Sequence, residues 1–453
     1  MGSIFRRRHH AVLAGQTVEL QSLDAVRLAM LAALPVAVLV GSPQRVALSA
    51  VIGAAYVGVA AVTLRHSRAN RIVVAYVAAA AAWMVVSWLR SRYLLHLDSG
   101  QVAYATSKTI YFVAIVLPMA AAVTMMVDRA ADIWPAVTSQ VAIGAAVAVL
   151  TIALFGERFL GADRYTWQGN LIALGTAIAI QPWPIRSIRA SAVIGIVGVA
   201  GIMLANSRQS LAAVVVAMLL SSVYWAAAAV RRERGAVWAR LRTSAAGKYA
   251  ALSILLVLVA GAYVGVTYAS DVGARIDTGG VHSSAPNNMC NCVTDRIASL
   301  QVSAGDRDKL LARGVQLFLQ NPVLGTGLGS FSGSLPDSSR QGEFYQYPHD
   351  VPLEIAAETG LVGFAIMIVP LLVAWALLFW SGVNRMSAPT STVLMMVAVF
   401  FTVANISGDI PSDRGMWIFG IVALKLGIDA WRQRADRPRS AERERFDAPA
   451  LIS

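Results

Sequence analysis

Apolar runs follow one another along almost the whole chain, broken by short polar turns, and their length is the dominant signal. A helix needs about 20 apolar residues to cross a bilayer. Twelve stretches come near that length: residues 25–41, 44–64, 72–89, 109–127, 137–155, 170–183, 190–205, 210–230, 249–269, 351–380, 390–407 and 415–430. The sixth and the last are short for a full crossing. No unit of 20–50 residues recurs, so this is not a repeat array. The pattern predicts an all-α, polytopic integral membrane protein of about twelve transmembrane helices. Nine spans fall in 25–269 and three in 349–430. The polar remainder is an N-terminal tail (1–24), one large loop (270–348) and a charged tail (431–453) expected to be solvated and disordered.

Composition agrees. Of 453 residues, 57% are hydrophobic and only 14% charged, too apolar for an ordinary soluble protein. The net charge of +13 raises nucleic acid as a partner, but the basic residues cluster between apolar runs, where membrane topology accounts for them. RHSRANR (65–71), PIRSIR (184–189), the segment 231–248 and the Arg-rich tail alternate with turns poorer in Lys and Arg: GSPQR (41–45), 156–170, NSRQS (206–210) and DIPSDRG (409–415). Arg90, Arg92 and Lys108 are exceptions on that second side. The positive-inside rule therefore puts both termini in the cytoplasm and the loop 270–348 outside, with no nucleic-acid partner. The first run lacks a following small-residue cleavage site and reads as a retained helix of the cytoplasmic membrane. Cys290 and Cys292 would close only a very tight loop and are too few to hold a metal.

Within the loop, GDRDKLLARGVQLFLQNP (305–322) reads as an amphipathic helix over 306–320. Arg307 shares the apolar stripe with Leu311, Gly314 and Phe318, whereas Arg313 lies opposite with Gln316 and Gln320. Arg307 on that stripe needs an anion, either a neighbouring carboxylate such as Asp295 or Asp306, or a ligand. The following GTGLGSFSGS (325–334) lacks the Gly-Lys-Ser/Thr ending of a nucleotide loop and reads as a flexible turn. Arg208, the one charge in NSRQS, either contacts lipid headgroups or stands as a fixed cation at the outer mouth of the bundle.

The stretch YPHDVPLEIAAETGLVG (347–363) carries the remaining chemistry. Asp350 is a good N-cap and Pro352 suits the first turn, so His349 sits at a helix N-terminus. The helix dipole there favours a neutral imidazole, able to accept a proton, and attracts phosphate. Glu354 and Glu358 are expected to pair with a basic residue in the bundle. Gly360 and Gly363 allow a neighbouring helix to come close. Two arginines and one base on a single side suit a diphosphate and an acceptor hydroxyl.

These motifs resemble those of the O-antigen ligase and O-antigen polymerase family of bacterial envelope glycosyltransferases. In that family a histidine and a small polar residue precede Gly-x-x-Gly by nine residues, as His349-Asp350 precede Gly360 and Gly363 here. Arg307 with NPVLGTGLG (321–329), and Ser207-Arg208, resemble the family's loop and mid-chain arginine motifs. Asp350 stands where an amide or hydroxyl is usual, and Leu311 where a tryptophan is common. The resemblance covers about 206–375. It implies a glycosyltransferase C-like helical bundle that moves a glycan from an undecaprenyl-like diphosphate to an acceptor hydroxyl on a glycan, lipid or protein, at the outer face of the membrane. No metal or cofactor is implied, and the outcome expected is inversion. Arg208 and Arg307 would hold the diphosphate and His349 would act as base, with Asp350, Asp409 and Arg414 as acceptor or secondary contacts. Two other readings stand beside it: a transporter or flippase of lipid-linked or anionic sugars, and a non-catalytic subunit of envelope assembly.

Overall fold

The computed structural model describes residues 24–38, 46–63, 68–154, 165–182, 187–205, 207–232, 309–332, 347–385 and 387–447, with residues 251, 252, 254 and 256. Among these, all regular structure is helical. In chain order the elements are α1 (24–38), α2 (Val46–Thr63), α3 (Arg68–Tyr93), α4 (Ser99–Tyr111), α5 (Leu117–Met125), α6 (Trp134–Ala153), α7 (Tyr165–Ala179), α8 (Ile188–Ala205), α9 (Arg208–Arg232), α10 (309–320), α11 (Val351–Met367), α12 (Val369–Arg385), α13 (Ala388–Ser407) and α14 (Arg414–Asp447). Seven helical segments among the described residues are long and apolar enough to cross a membrane. Their surfaces carry exposed Val86, Val193, Ile196, Val223 and Val373, and the shorter apolar helix α2 exposes Val51 and Val62. That much exposed aliphatic surface fits a lipid solvent rather than water. The chain is a polytopic helical membrane protein. The ninth expected span, 249–269, lies largely outside the described residues, as do Cys290 and Cys292.

The core follows from side-chain size. The short sixth run forms α7, buried on nearly every side: Ile172, Ala173, Ala177, Ile178 and Ala179 are all fully buried. It meets α6, α8, α9 and α13. Gly144 and Gly175 let α6 and α7 touch backbone to backbone, since a β-carbon on either would lie 2.9 Å from the other's Cα. At one end of the bundle Arg27 pairs with Asp132 at 3.1 Å and Lys425 with Asp128 at 3.0 Å.

Prolines and glycines set the irregularities. Between α4 and α5 the helix widens into one π turn, Phe112–Val116, just before Pro118. The wider turn accommodates a residue that has no N–H and whose ring would strike the preceding turn. A second break lies in α11. Gly360 adopts φ 72°, ψ −173°, which interrupts the helical ladder. The freed groups are not left bare. Thr326 and Gly327 donate their N–H groups to the carbonyls of Ala357 and Glu358, at 2.9 and 3.0 Å. The N–H groups of Leu361 and Val362 donate to the carbonyls of Pro322 and Val323, at 2.8 and 3.2 Å. The segment 321–332 is thus threaded into the broken helix, with Leu328 and Phe331 fully buried. This corrects the expectation of a flexible turn at 325–334, and the partner that approaches Gly360 is this loop rather than a helix. A hydropathy pattern cannot reveal it, because the contact is made by backbone groups.

Two further differences concern helix faces and ends. On α10 the buried residues are Leu310, Gly314 and Leu317, while Leu311, expected on the buried stripe, is exposed. Residues 310, 314 and 317 share a face at 100° per residue just as well, and sequence alone did not choose between the two stripes. The backbone of α14 is helical through Asp447, where a disordered tail from 431 was expected. Charges of alternating sign three and four residues apart support such a helix.

Gly360→Ala should lower stability by about 2–5 kcal/mol, combining the left-handed φ with overpacking. A β-carbon there would lie 2.2 Å from the Val323 carbonyl oxygen. Gly58→Ala, which meets nothing within 4 Å, is the matched control. Thermal unfolding in detergent would compare the two, and equal midpoints would contradict the threaded arrangement.

Candidate active site

Helix α11 begins at a well-defined cap. Asp350 Oδ1 accepts from the Leu353 backbone N–H at 2.8 Å, and Pro352 occupies the first turn, as the sequence pattern predicts. His349, immediately before the cap, is half-buried, holds the left-handed φ of 61°, and packs its ring edge-on against Tyr347 with centroids 4.6 Å apart. A non-glycine residue in that conformation is held by its surroundings. Here Pro348 is buried and α10 packs above it, with Gly314 against Leu353 and Pro348.

Below the cap lies the strongest polar feature among the described residues. Glu354 and Glu358, one turn apart and both fully buried, share the Nζ of Lys108 on α4. Lys108 donates to Glu354 Oε1 and, at 2.7 Å, to Glu358 Oε2. The other Glu354 oxygen accepts from the Ile410 N–H at 3.0 Å, and the other Glu358 oxygen from the Phe331 N–H at 3.5 Å. One ion cluster thereby joins α4, α11, the segment 321–332 and the turn between α13 and α14. A buried charge is tolerated where it is paired and hydrogen-bonded in this way. The expected pairing of both glutamates with a basic residue is therefore met, and by Lys108, which the topology reading had left in an outer turn. Arg90, another of those exceptions, donates to the carbonyls of Leu324 and Gly325, at 2.5 and 2.9 Å, and fixes the same segment.

The turn after α13 brings in Asp409. It is buried, its Oδ1 accepts from the Ser412 N–H at 2.6 Å, and burial raises its pKa above the usual carboxylate range. Burial, together with the neighbouring Asp409 carboxylate, pushes Asp413 up further. Burial raises Asp350 as well, against the opposing hydrogen bond from Leu353. The Tyr347 phenol is raised by burial and by the charges of Asp409, Glu354 and Asp413, so Tyr347 links the histidine to this acidic group. Arg414, first residue of α14, is 2% exposed and points elsewhere: its Nη1 lies 3.5 Å from the Ala37 carbonyl at the end of α1.

Arg208 opens α9. Its side chain lies outside what is described, but its neighbours are fixed: Ser207 Oγ is 2.5 Å from Ser210 Oγ, which donates to Asn170 Oδ1 at 2.7 Å. Helix directions place this turn at the same end as His349. The Tyr224 hydroxyl, in the second half of α9, donates to the Ser387 carbonyl at the start of α13, so the two helices are antiparallel. The start of α9 therefore lies with the end of α13, beside the turn whose Ile410 bonds Glu354. Arg307 lies outside the described residues. The structure thus brings His349, Asp350 and Asp409 into one neighbourhood and puts the Arg208 turn at the same end, while Arg414 faces α1. Sequence reasoning missed Lys108 and Tyr347. The signal for Lys108 was present: two acids one turn apart in an apolar helix require a buried cation.

Fold and site together define a multi-pass helical membrane protein with a buried ion cluster at the end of the bundle that carries His349. Residues 190–368 match the model of the O-antigen ligase family. That match supports assignment to the O-antigen ligase family, and with it an O-antigen ligase- or polymerase-type glycan transferase in general. The matched window holds the Arg208 turn, α10, the threaded segment and α11 as far as its joint with α12. No curated protein matches the chain.

Lys108→Met leaves two buried carboxylates without their cation and should cost about 3–5 kcal/mol. Adding Glu354→Gln and Glu358→Gln should recover much of that loss. Unfolding midpoints of the single and triple variants measure both effects, and a fully stable Lys108→Met protein would contradict the role assigned to the cluster.

Proposed function

We propose that the protein transfers a glycan from a polyprenyl, undecaprenyl-like diphosphate to an acceptor hydroxyl at the outer face of the cytoplasmic membrane, with both termini in the cytoplasm. The observation that carries the reading is His349: it stands in a held, left-handed conformation at the N-terminus of α11, inside the family-matched segment and at the same end as Arg208. Arg208 and Arg307 bind the diphosphate, and the paired donors of each guanidinium suit phosphate oxygens better than an ammonium does. His349 takes the proton of the acceptor hydroxyl as that oxygen bonds to the anomeric carbon. The bond from that carbon to the diphosphate oxygen breaks, its electron pair leaves with the diphosphate, and the two arginines stabilise the departing charge. Attack opposite the leaving group inverts the anomeric centre. No metal takes part in this scheme. In this scheme Asp409 and Asp350 contact acceptor hydroxyls.

A broken helix is also a device of transporters, where it exposes backbone groups to ions. In α11 those groups are bonded to the segment 321–332, and this favours the transferase reading over a transporter of lipid-linked or anionic sugars.

In a reconstituted assay with a prenyl-diphosphate-linked glycan, His349→Ala should slow transfer by about 10²–10⁴-fold, the usual range for general-base help, while donor binding is retained. Transfer at the wild-type rate would refute the role of the histidine.

A further inference from the structure

Helix α10 has three faces rather than two. Leu310, Gly314 and Leu317 are buried, the two leucines in one cluster with Phe331 and Ala357. At 100° per residue, Lys309, Arg313, Gln316 and Gln320 fall on one flank of that face, and Arg313 donates to Gln316 there at 2.8 Å. Leu311, Val315 and Leu319 fall on the other flank. All three are exposed, Leu319 to 67%. Val323 and Leu324, just beyond the helix, are exposed as well. A helix with one open flank polar and the other apolar is built for two solvents, water on one side and lipid on the other.

The apolar flank runs into the lipid-facing surface of the bundle. Gly314 packs on Leu353, and the carbonyls of Pro322 and Val323 accept from the N–H groups of Leu361 and Val362, so α10 descends alongside α11. Leu361 is itself exposed, within the apolar stretch Val351–Arg385 that is long enough to cross a membrane. Its neighbours Val323 and Leu324 therefore continue a surface that meets lipid. From Leu361 to Arg385 a helix rises about 37 Å, enough for a hydrocarbon core of about 30 Å, which puts Leu361 near the edge of that core. The end of α3 marks the same level. Arg90 donates to the carbonyls of Leu324 and Gly325, and beside it Arg92 lies over the rings of Trp88 and Tyr93, 5.6 and 5.5 Å from their centroids. Arginines and large aromatic rings gather where lipid meets water.

We infer that Leu311, Val315 and Leu319, with Val323 and Leu324, seat α10 on the bilayer surface at the end of the bundle that carries His349. The partner is the headgroup and upper acyl region of the lipid. Through Gly314, α10 also covers Pro348, so the lipid surface sets the height of the roof above the His349 turn. The seat stands on the fold and holds whatever reaction the site performs. Fluorescence quenching tests it on the full-length protein with Cys290 and Cys292 replaced by Ser, in nanodiscs of phosphatidylethanolamine and phosphatidylglycerol, whose two faces are both open. Leu319→Cys, Val323→Cys and Gln316→Cys each carry an environment-sensitive fluorophore, with Leu361→Cys as the lipid-facing reference. A lipid bearing a nitroxide on its upper acyl chain should quench positions 319 and 323 severalfold more than 316, and aqueous iodide should reverse that order. Val315→Cys takes the place of Leu319→Cys should the latter not fold. Iodide reaching 319 as freely as 316, with no effect of the nitroxide lipid, would overturn the inference. Protection of 319 from both quenchers would also overturn it, because another part of this chain or a second copy would then cover the flank.

Discussion

One buried cation organises the end of this bundle that carries His349. Lys108 enters an apolar helix where an ammonium is costly, and it is tolerable because Glu354 and Glu358 meet it from α11. The second oxygen of each acid accepts from a backbone N–H, Glu354 from Ile410 and Glu358 from Phe331. Three separate parts of the chain, α4, the segment 321–332 and the turn after α13, are therefore fixed with respect to the first turns of α11. His349 lies one residue before that helix, so its position is set by the same contacts. An apolar interface could supply comparable stability; the ion cluster adds a requirement of register, because each carboxylate must meet its own donors.

The segment 321–332 extends this constraint into the backbone. A helix broken inside a bilayer exposes N–H and C=O groups that nothing in lipid can satisfy. Here the break at Gly360 and the turn at Gly325 fit together: a β-carbon on Gly360 would collide with the main chain of Val323 and Gly325, and one on Gly325 with that of Glu358 and Thr359. Arg90 and Gln101 hold the same segment through its carbonyls from the α3–α4 corner. The glycines of NPVLGTGLG and GLVG are thus one structural device, seen from its two halves, and it buttresses the cluster around Lys108.

Much of the architecture was legible because length and hydropathy report helices directly. The helices lie on the apolar runs, and the cap at Asp350 was readable from Pro352 and the polar residue before it. What escaped was pairing across the chain. Lys108 sits at the edge of an apolar run, so a hydropathy boundary drawn at residue 109 put it in a turn, although α4 begins at Ser99. The threaded loop looked flexible because glycine marks both mobile turns and close backbone contacts, and sequence does not say which. On α10 the choice between the stripe through Leu310 and the one through Leu311 depended on what lay beneath, Leu353 and Pro348, far along the chain. The motif of His349 and the two glycines was the most informative stretch, because its spacing links a cap, a break and a close approach in a single helix.

The functional account rests on a shared location proposed for the diphosphate and the proton acceptor, at one end of the bundle. Location is what an experimental structure with a bound prenyl diphosphate reports most directly. The account predicts its phosphates at the end of the bundle that carries His349, within hydrogen-bonding distance of Arg208 and Arg307. Phosphates found at the opposite end, beside Lys425 and Asp128, would contradict it.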